Sequence, residues 1–219
     1  MEKVAENKIT LYHGSEKILK VPEYGKGVIN NDYGQGFYCT KNKGLAGEWA
    51  VLWTEKNGYI NEYSFDYTNL KVLYLNQMPV ENWIAVLLNN RKIYSLDDFA
   101  LRIDVFLQKY LIDISDYDVI EGWRADDAFF SYITDFVSDV LSLENLKEAL
   151  KFGDLGNQVF IYSKKAFDNI KFTTHYPAPA SRFLKSAKDR DKNAKQQYIS
   201  MRRKAIGTRI SHIVGEENL

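Results

Sequence analysis

The segments that read as strands and helices do not alternate one-for-one along this chain, and that order rules out most α/β architectures. Two short apolar runs come first, 9–12 and 36–40, separated by a Gly-rich loop over 21–31. Residues 45–54 then read as a helix, with Trp49 and Trp53 on one face at i, i+4. The alternating stretch 59–65 predicts a strand, and 71–75 a second. A helical middle follows. It has a helix over 80–88, then one N-capped by Ser95 with Asp97 and Asp98 in its first turn, burying Phe99, Ile103, Phe106, Leu107 and Tyr110. After a short strand at 117–121, Phe129, Ile133, Phe136, Val137, Val140 and Leu141 repeat the helical spacing, and 143–150 form a short helix stopped near Gly153. Strands return at 158–163 and 170–174, Pro177 and Pro179 break the chain, and 181–209 read as one long basic helix with Ile199, Ile206, Ile210 and Ile213 on a stripe. A doubly wound parallel sheet would alternate more regularly, so the expected class is mixed α+β.

With 219 residues, one main domain is expected over 1–176 and a basic helical extension over 177–219. Apolar residues make up 45%, and fifteen Tyr and twelve Phe suit strands and ring-lined clefts. Cys39 is the sole cysteine, so no internal disulfide forms. His13, His175 and His212 lack metal-ligand spacing, and no metal is expected. The segment 1–10 carries Glu2, Lys3, Glu6 and Lys8 without an apolar core, so no signal peptide is expected. Apolar runs are too short to span a bilayer. A cytoplasmic protein without membrane partners is the expectation. Net charge is zero, but residues 181–219 hold ten Lys/Arg against four Asp/Glu, leaving an acidic body with 19 basic and 25 acidic residues.

Two glycine-flanked segments carry the chemistry. They are Leu11-Tyr12-His13-Gly14-Ser15 and Asp32-Tyr33-Gly34-Gln35-Gly36-Phe37-Tyr38-Cys39-Thr40. Each sets a polar ring beside glycine at the end of an apolar run, which suits a cleft where a flat ligand lies against the backbone.

These segments resemble the ADP-ribosyltransferase fold, in the branch typified by diphtheria toxin and the poly(ADP-ribose) polymerases. That branch carries His, Tyr and Glu on three separated strands of a split sheet, and its co-substrate is NAD. The resemblance makes His13 the ribose-binding histidine and Gly14 the backbone partner of the nicotinamide carboxamide. Tyr12 and Ser15 flank them. Gly36-Phe37-Tyr38 matches Gly-x-Tyr, so Tyr38 stacks on nicotinamide, and Trp49, eleven residues on, sandwiches the ring. The branch's serine three residues before that aromatic is Ala46 here, which removes a hydrogen bond. The third motif matches Asn157-Gln158-Val159-Phe160-Ile161-Tyr162, with Gln158 where the branch has its glutamate. The whole pattern, with Gly122-Trp123-Arg124-Ala125-Asp126-Asp127, is also similar to an uncharacterised bacterial family of ADP-ribosyltransferase-like proteins that often sit beside a small antitoxin-like partner. The resemblance spans roughly residues 8–175.

It implies an NAD-dependent mono-ADP-ribosyltransferase, the toxin of a toxin–antitoxin pair, acting on an unidentified acceptor that is protein, nucleic acid or small molecule. Transfer passes through an oxocarbenium-like state that needs nearby negative charge. A carboxylate ~4 Å from the cation contributes roughly 4 kcal/mol at an effective dielectric of about 20, and Gln158 cannot supply it. Asp126, Asp127 and Glu121 are the expected substitutes. Plainer explanations stand beside each residue: His13 as a strand cap, Tyr38, Trp49 and Trp53 as core, Gln158 as a satisfied structural amide, Asp126 and Asp127 as helix caps. Two other functions stand as alternatives. One is an inactive NAD- or partner-binding protein. The other is a nucleic-acid module using the basic helix, whose cations otherwise form a solvated face or dock an acidic partner. Removal of an RNA 2′-phosphate on the same fold would need a basic phosphate pocket.

Overall fold

Period-two side-chain alternation sorts the strands into two sheets that share one apolar layer. The computed structural model describes residues 7–92, 99–125, 127–150, 156–202 and 207–215, with the backbone alone at 127, 128 and 202. β1 (Lys8–Ser15), β3 (Gly58–Asp66) and β7 (Ile170–Ala178) make an antiparallel sheet in the order β1-β3-β7. β2 (Phe37–Cys39), β4 (Val72–Tyr74), β5 (Val119–Trp123) and β6 (Asn157–Ile161) make a mixed sheet in the order β2-β6-β5-β4, with β4 parallel to β5. The sheets are tied at one backbone bridge, where Tyr12 and Thr40 exchange N–H···O bonds of 2.8 and 2.9 Å. Leu11, Tyr63 and Phe65 from the first sheet pack there on Phe37, Val119, Val159 and Ile161 from the second.

The opposite face of the mixed sheet, Leu73, Ile120 and Phe160, lies under the helices. α2 (Val80–Asn90) contributes Trp83 and Ile84, α3 (Ala100–Tyr110) Phe106, α4 (Asp127–Val137) Phe129, Ile133 and Phe136, and α5 (Leu143–Ala149) Leu143 and Leu146. Full burial of such a side chain stabilises by about 1.5–3 kcal/mol, which makes this layer the main core. α1 (Lys43–Leu52) is capped by Asn42, whose side chain accepts from the N–H groups of Gly44 and Leu45. It lays Ala46, Ala50 and Val51 against Ile60 and Ala178. The fold is therefore mixed α+β, with a split antiparallel and mixed sheet and C-terminal helices. Among the described residues no helix is long and apolar enough to cross a membrane, and no cluster of potential metal ligands occurs.

Several expectations need correction. Pro177 does not break the chain. It lies within β7 opposite Tyr59, because β7 is an edge strand, where a missing N–H is tolerated. The expected boundary between 176 and 177 thus falls inside a strand. A short helix, α6 (Lys164–Asp168), was not expected; Ser163 caps it. The basic C-terminal helix is not continuous to 209. α7 (Ala180–Arg202) ends, Gly207 takes φ +142°, and α8 (Ile210–Val214) follows. Beside Gly207, Glu144 accepts bonds from the N–H and hydroxyl of Thr208 at 2.8 Å each, which holds the turn to α5. The expected isoleucine stripe is accordingly split, with Ile199 57% exposed and Ile210 buried. Helix α4 stops at Val137 because Asp139 turns to positive φ and the N–H groups of Val140 and Leu141 return to the Asp135 carbonyl. Ser95, Asp97, Asp98, Gly153, Arg203, Lys204 and Ile206 lie outside the described residues.

Helix α7 packs on the body through Phe183, Ala187, Ala194, Tyr198 and Met201. Phe183 sits against Gly47 of α1, where a Cβ would meet its ring at 2.4 Å. Phe183→Ala is expected to cost about 3 kcal/mol in urea unfolding. An unchanged midpoint would mean that α7 hangs on the domain without stabilising it.

Candidate functional site

A cavity of about 210 Å³ opens where β1, β2 and β6 end beside α1, lined by His13, Gly14, Asn31, Asp32, Tyr38, Trp49, Leu52, Trp53, Arg91, Arg124, Ala125 and Gln158. A more apolar cavity of about 470 Å³ adjoins it and shares His13, Asn31 and Tyr38. Of the residues expected from sequence, the structure gathers His13, Gly14, Tyr38, Trp49 and Gln158 around the first cavity.

The bridge between Tyr12 and Thr40 fixes the positions of His13 and Tyr38. The Nδ1 of His13 lies 2.7 Å from the Tyr38 carbonyl oxygen. A carbonyl only accepts, so Nδ1 carries the hydrogen and Nε2 of the neutral ring is left as an acceptor. Burial lowers the His13 pKa from its ordinary 6.5, against the opposing pull of the Tyr38 carbonyl. The ring also leans on Phe37, 4.6 Å between centroids. The Tyr38 hydroxyl donates to the Gly34 carbonyl at 2.7 Å and accepts from the Tyr33 N–H at 3.0 Å, which pins the ring to the preceding turn. Burial raises its pKa, so the phenol stays protonated.

Gly14 allows α1 to reach the cavity. A Cβ there would stand 1.9 Å from the Ala46 carbonyl oxygen and 2.6 Å from the Ala50 nitrogen. Ala46 is consequently buried under β1 rather than facing the cavity. Trp49 and Trp53 do not enter the core. Both line the cavity, Trp53 74% exposed. The Trp49 indole N–H is buried and has no hydrogen-bond partner among the described residues, an unsatisfied donor at the cavity wall. The Arg124 guanidinium lies 4.9 Å from the Trp49 ring, a cation–π contact. Burial raises the Glu48 carboxyl pKa, opposed by Arg190 of α7 and by Arg124, and Arg190 lies 2.5 Å from Glu48.

Other expected site residues sit elsewhere. The Ser15 hydroxyl donates to the Lys17 carbonyl and accepts from Asn61. Tyr12 packs against the cluster formed by Ala46, Ala50, Val51, Ile60, Ala178 and Phe183. Gly36 lines only the adjoining cavity. Glu121 is no substitute carboxylate. Its neighbour Gly122 stands opposite Gln158, so alternation turns Glu121 to the other face, where Lys41 at 2.8 Å and the Tyr67 hydroxyl at 2.6 Å hold it. Asp126 lies outside the described residues, and Asp127 opens α4 with its side chain outside them.

The carboxylate at the cavity is Asp32, which sequence reading passed over although it opens the Gly-Tyr motif. It is 2% exposed. Its Oδ1 accepts from Arg91 at 2.8 Å, and its Oδ2 from Gln158 at 2.8 Å and the Ala125 N–H at 3.1 Å. Arg91 follows α2 and lies 3.9 Å from the Phe130 ring. Nothing local in the sequence marks this constellation; its members are 59, 93 and 126 residues from Asp32.

The close approach at Gly14 gives a direct test. Gly14→Ala is expected to push α1 from β1 and to destabilise by about 2 kcal/mol or more in urea unfolding. A wild-type midpoint would show that the interface yields easily.

Compared with known proteins, no curated protein matches this chain. A family model, described as protein of unknown function (DUF3990), covers residues 9–172. That span takes in every residue of the cavity. The chain belongs to this DUF3990 family of proteins of unknown function.

Proposed function

We propose that the protein is an NAD-dependent mono-ADP-ribosyltransferase whose ligand-binding cleft is the cavity between β1, β2, β6 and α1. The observation that carries this reading is the convergence of His13, Gly14, Tyr38, Trp49 and Gln158, from four separate elements, on one cavity. The residues fit the nicotinamide–ribose end of NAD. The His13 Nε2 is a bare acceptor for a ribose hydroxyl, and the Trp49 ring lines the cavity as an aromatic wall.

In the reaction the bond between the nicotinamide nitrogen and ribose C1′ breaks, and nicotinamide leaves with the electron pair. The acceptor nucleophile bonds to C1′ and releases its proton. Tyr38 and the two tryptophans hold the flat ring, and aromatic contacts of this kind add on the order of 1 kcal/mol beyond area burial. His13 orients the ribose. The acceptor, and a small antitoxin-like partner that would block the cleft, complete the proposal as chemical roles without assigned surfaces. The basic helix is a weaker basis for nucleic-acid binding. Lys188, Arg190 and Lys195 of α7 pair with Glu55, Glu48 and Asp191.

Incubating the full chain with labelled NAD and cell lysate tests the reading. We expect label on a macromolecule or release of nicotinamide, reduced at least tenfold in His13→Ala and Tyr38→Ala. Saturable NAD binding without turnover would point to the inactive binding protein, and neither binding nor turnover would remove NAD from the account. The pH dependence is a second check. The folded His13 pKa lies below 6.5. As pH falls through that ordinary value the unfolded chain takes up the proton first, so stability drops with falling pH. His13→Gln is expected to flatten this loss in urea midpoints between about pH 7.5 and 5. Equal slopes would mean that His13 titrates normally in the fold.

A further inference from the structure

The cleft has no glutamate on β6, yet a carboxylate lies one hydrogen bond behind the amide that replaces it. The Gln158 Nε2 donates to Asp32 Oδ2 at 2.8 Å and to the Trp123 carbonyl at 3.3 Å. Both N–H bonds of the amide therefore point at acceptors. Flipping the amide would set its oxygen against a carboxylate and a carbonyl, so the orientation is fixed. The Gln158 Oε1 is thus the atom left for a ligand hydroxyl. The strong Arg91 contact falls on the other carboxylate oxygen, Oδ1, and leaves Oδ2 to face Gln158 and the Ala125 N–H.

We infer that Asp32 orients and polarises the Gln158 amide and acts on the ribosyl cation only through it: Asp32 is a positioning residue whose charge is shared with Arg91, which lines the same cavity. The inference rests on the NAD-dependent reading above. Its chemistry adds no step. The bond that breaks and the bond that forms are those of the transfer, and no proton passes to Asp32. The device trades direct contact for a carboxylate already held in place by three donors, whose arrangement need not reorganise as charge develops.

The test uses full-length variants, labelled NAD with lysate, and calorimetric NAD binding. Asp32→Asn is expected to lower kcat on the order of 10²-fold, the scale of losing one preorganised electrostatic contact, with KM within about threefold. Asp32→Asn combined with Gln158→Glu moves the charge by one hydrogen bond and is expected to recover most of that loss. Gln158→Met leaves the Asp32–Arg91 pair intact and is expected to lose kcat as Asp32→Asn does, which keeps the test valid if Asp32→Asn fails to fold. A readout independent of turnover is the side-chain amide of Gln158 in the NMR spectrum of the free protein. It should show two distinct, exchange-protected protons in the wild type and lose that protection in Asp32→Asn. If wild type turns over NAD while Asp32→Asn or Gln158→Met keeps its kcat, the inference falls and the functional reading stands. If the double variant folds but stays as slow as Asp32→Asn, Asp32 is only the partner of Arg91, and the inference again falls. If wild type neither binds nor cleaves NAD, the functional reading falls and takes this inference with it.

Discussion

A carboxylate as buried as Asp32 has to be matched by donors, and the three that match it come from parts of the chain far apart in sequence. Arg91 brings the end of α2, the Ala125 N–H the exit of β5, and Gln158 the start of β6. The next residue extends the same knot. The Tyr33 hydroxyl donates to the Trp123 carbonyl at 2.6 Å and accepts from the Trp83 indole at 2.9 Å. The loop before β2 is therefore fixed from both sides, and so are the walls of the cavity. Removing one partner would leave another buried and unmatched, a cost usually larger than the net gain of the bond itself.

The split between the sheets explains why a cavity forms at this point. Only one backbone bridge, Tyr12 to Thr40, joins β1 to β2 in the described residues. Beside the bridge stand the His13 ring and the Tyr38 carbonyl it bonds. Gly14 then allows α1 to close the third side, because no Cβ holds it off. Sheet geometry and one missing side chain thus place Trp49 opposite the strand ends. The same geometry buries Cys39 in the layer between the sheets, where burial pushes its thiol pKa up and leaves it inert.

Most elements were legible because their signals are local. Alternation marked β3, the i, i+4 spacing marked the helices, and the aromatic motifs marked the strand ends. What failed depended on distant partners. Pro177 looks like a breaker until β7 is known to be an edge strand. The run from 181 to 209 looks helical until Glu144, far upstream, captures Thr208. Glu121 illustrates a subtler limit. Both faces of β5 are buried, Val119 between the sheets and Ile120 under the helices, so alternation cannot tell which face a given residue takes. Only the pairing of Gly122 with Gln158 decides it. Asp32 was hidden for the same reason. Its neighbours in sequence say turn, and its three partners are all long-range.

The C-terminal helix shows how far the cavity depends on the whole chain. α7 lies beyond residue 172, where the family match ends. Its Arg190 nonetheless pairs with Glu48 of α1 at 2.5 Å, both side chains largely buried, and the field of Glu48 also acts on Arg124. Arg124 in turn lies against Trp49 at the cavity wall. Two arginines and one carboxylate in a half-buried setting hold one another in place, since any of the three left alone would carry an unmatched charge. Glu48 shares its helix with Trp49, so the position of the aromatic wall is tied to the docking of α7. The basic character of this helix is therefore explained in part by what it holds: its Arg190 pairs with the largely buried Glu48 of α1.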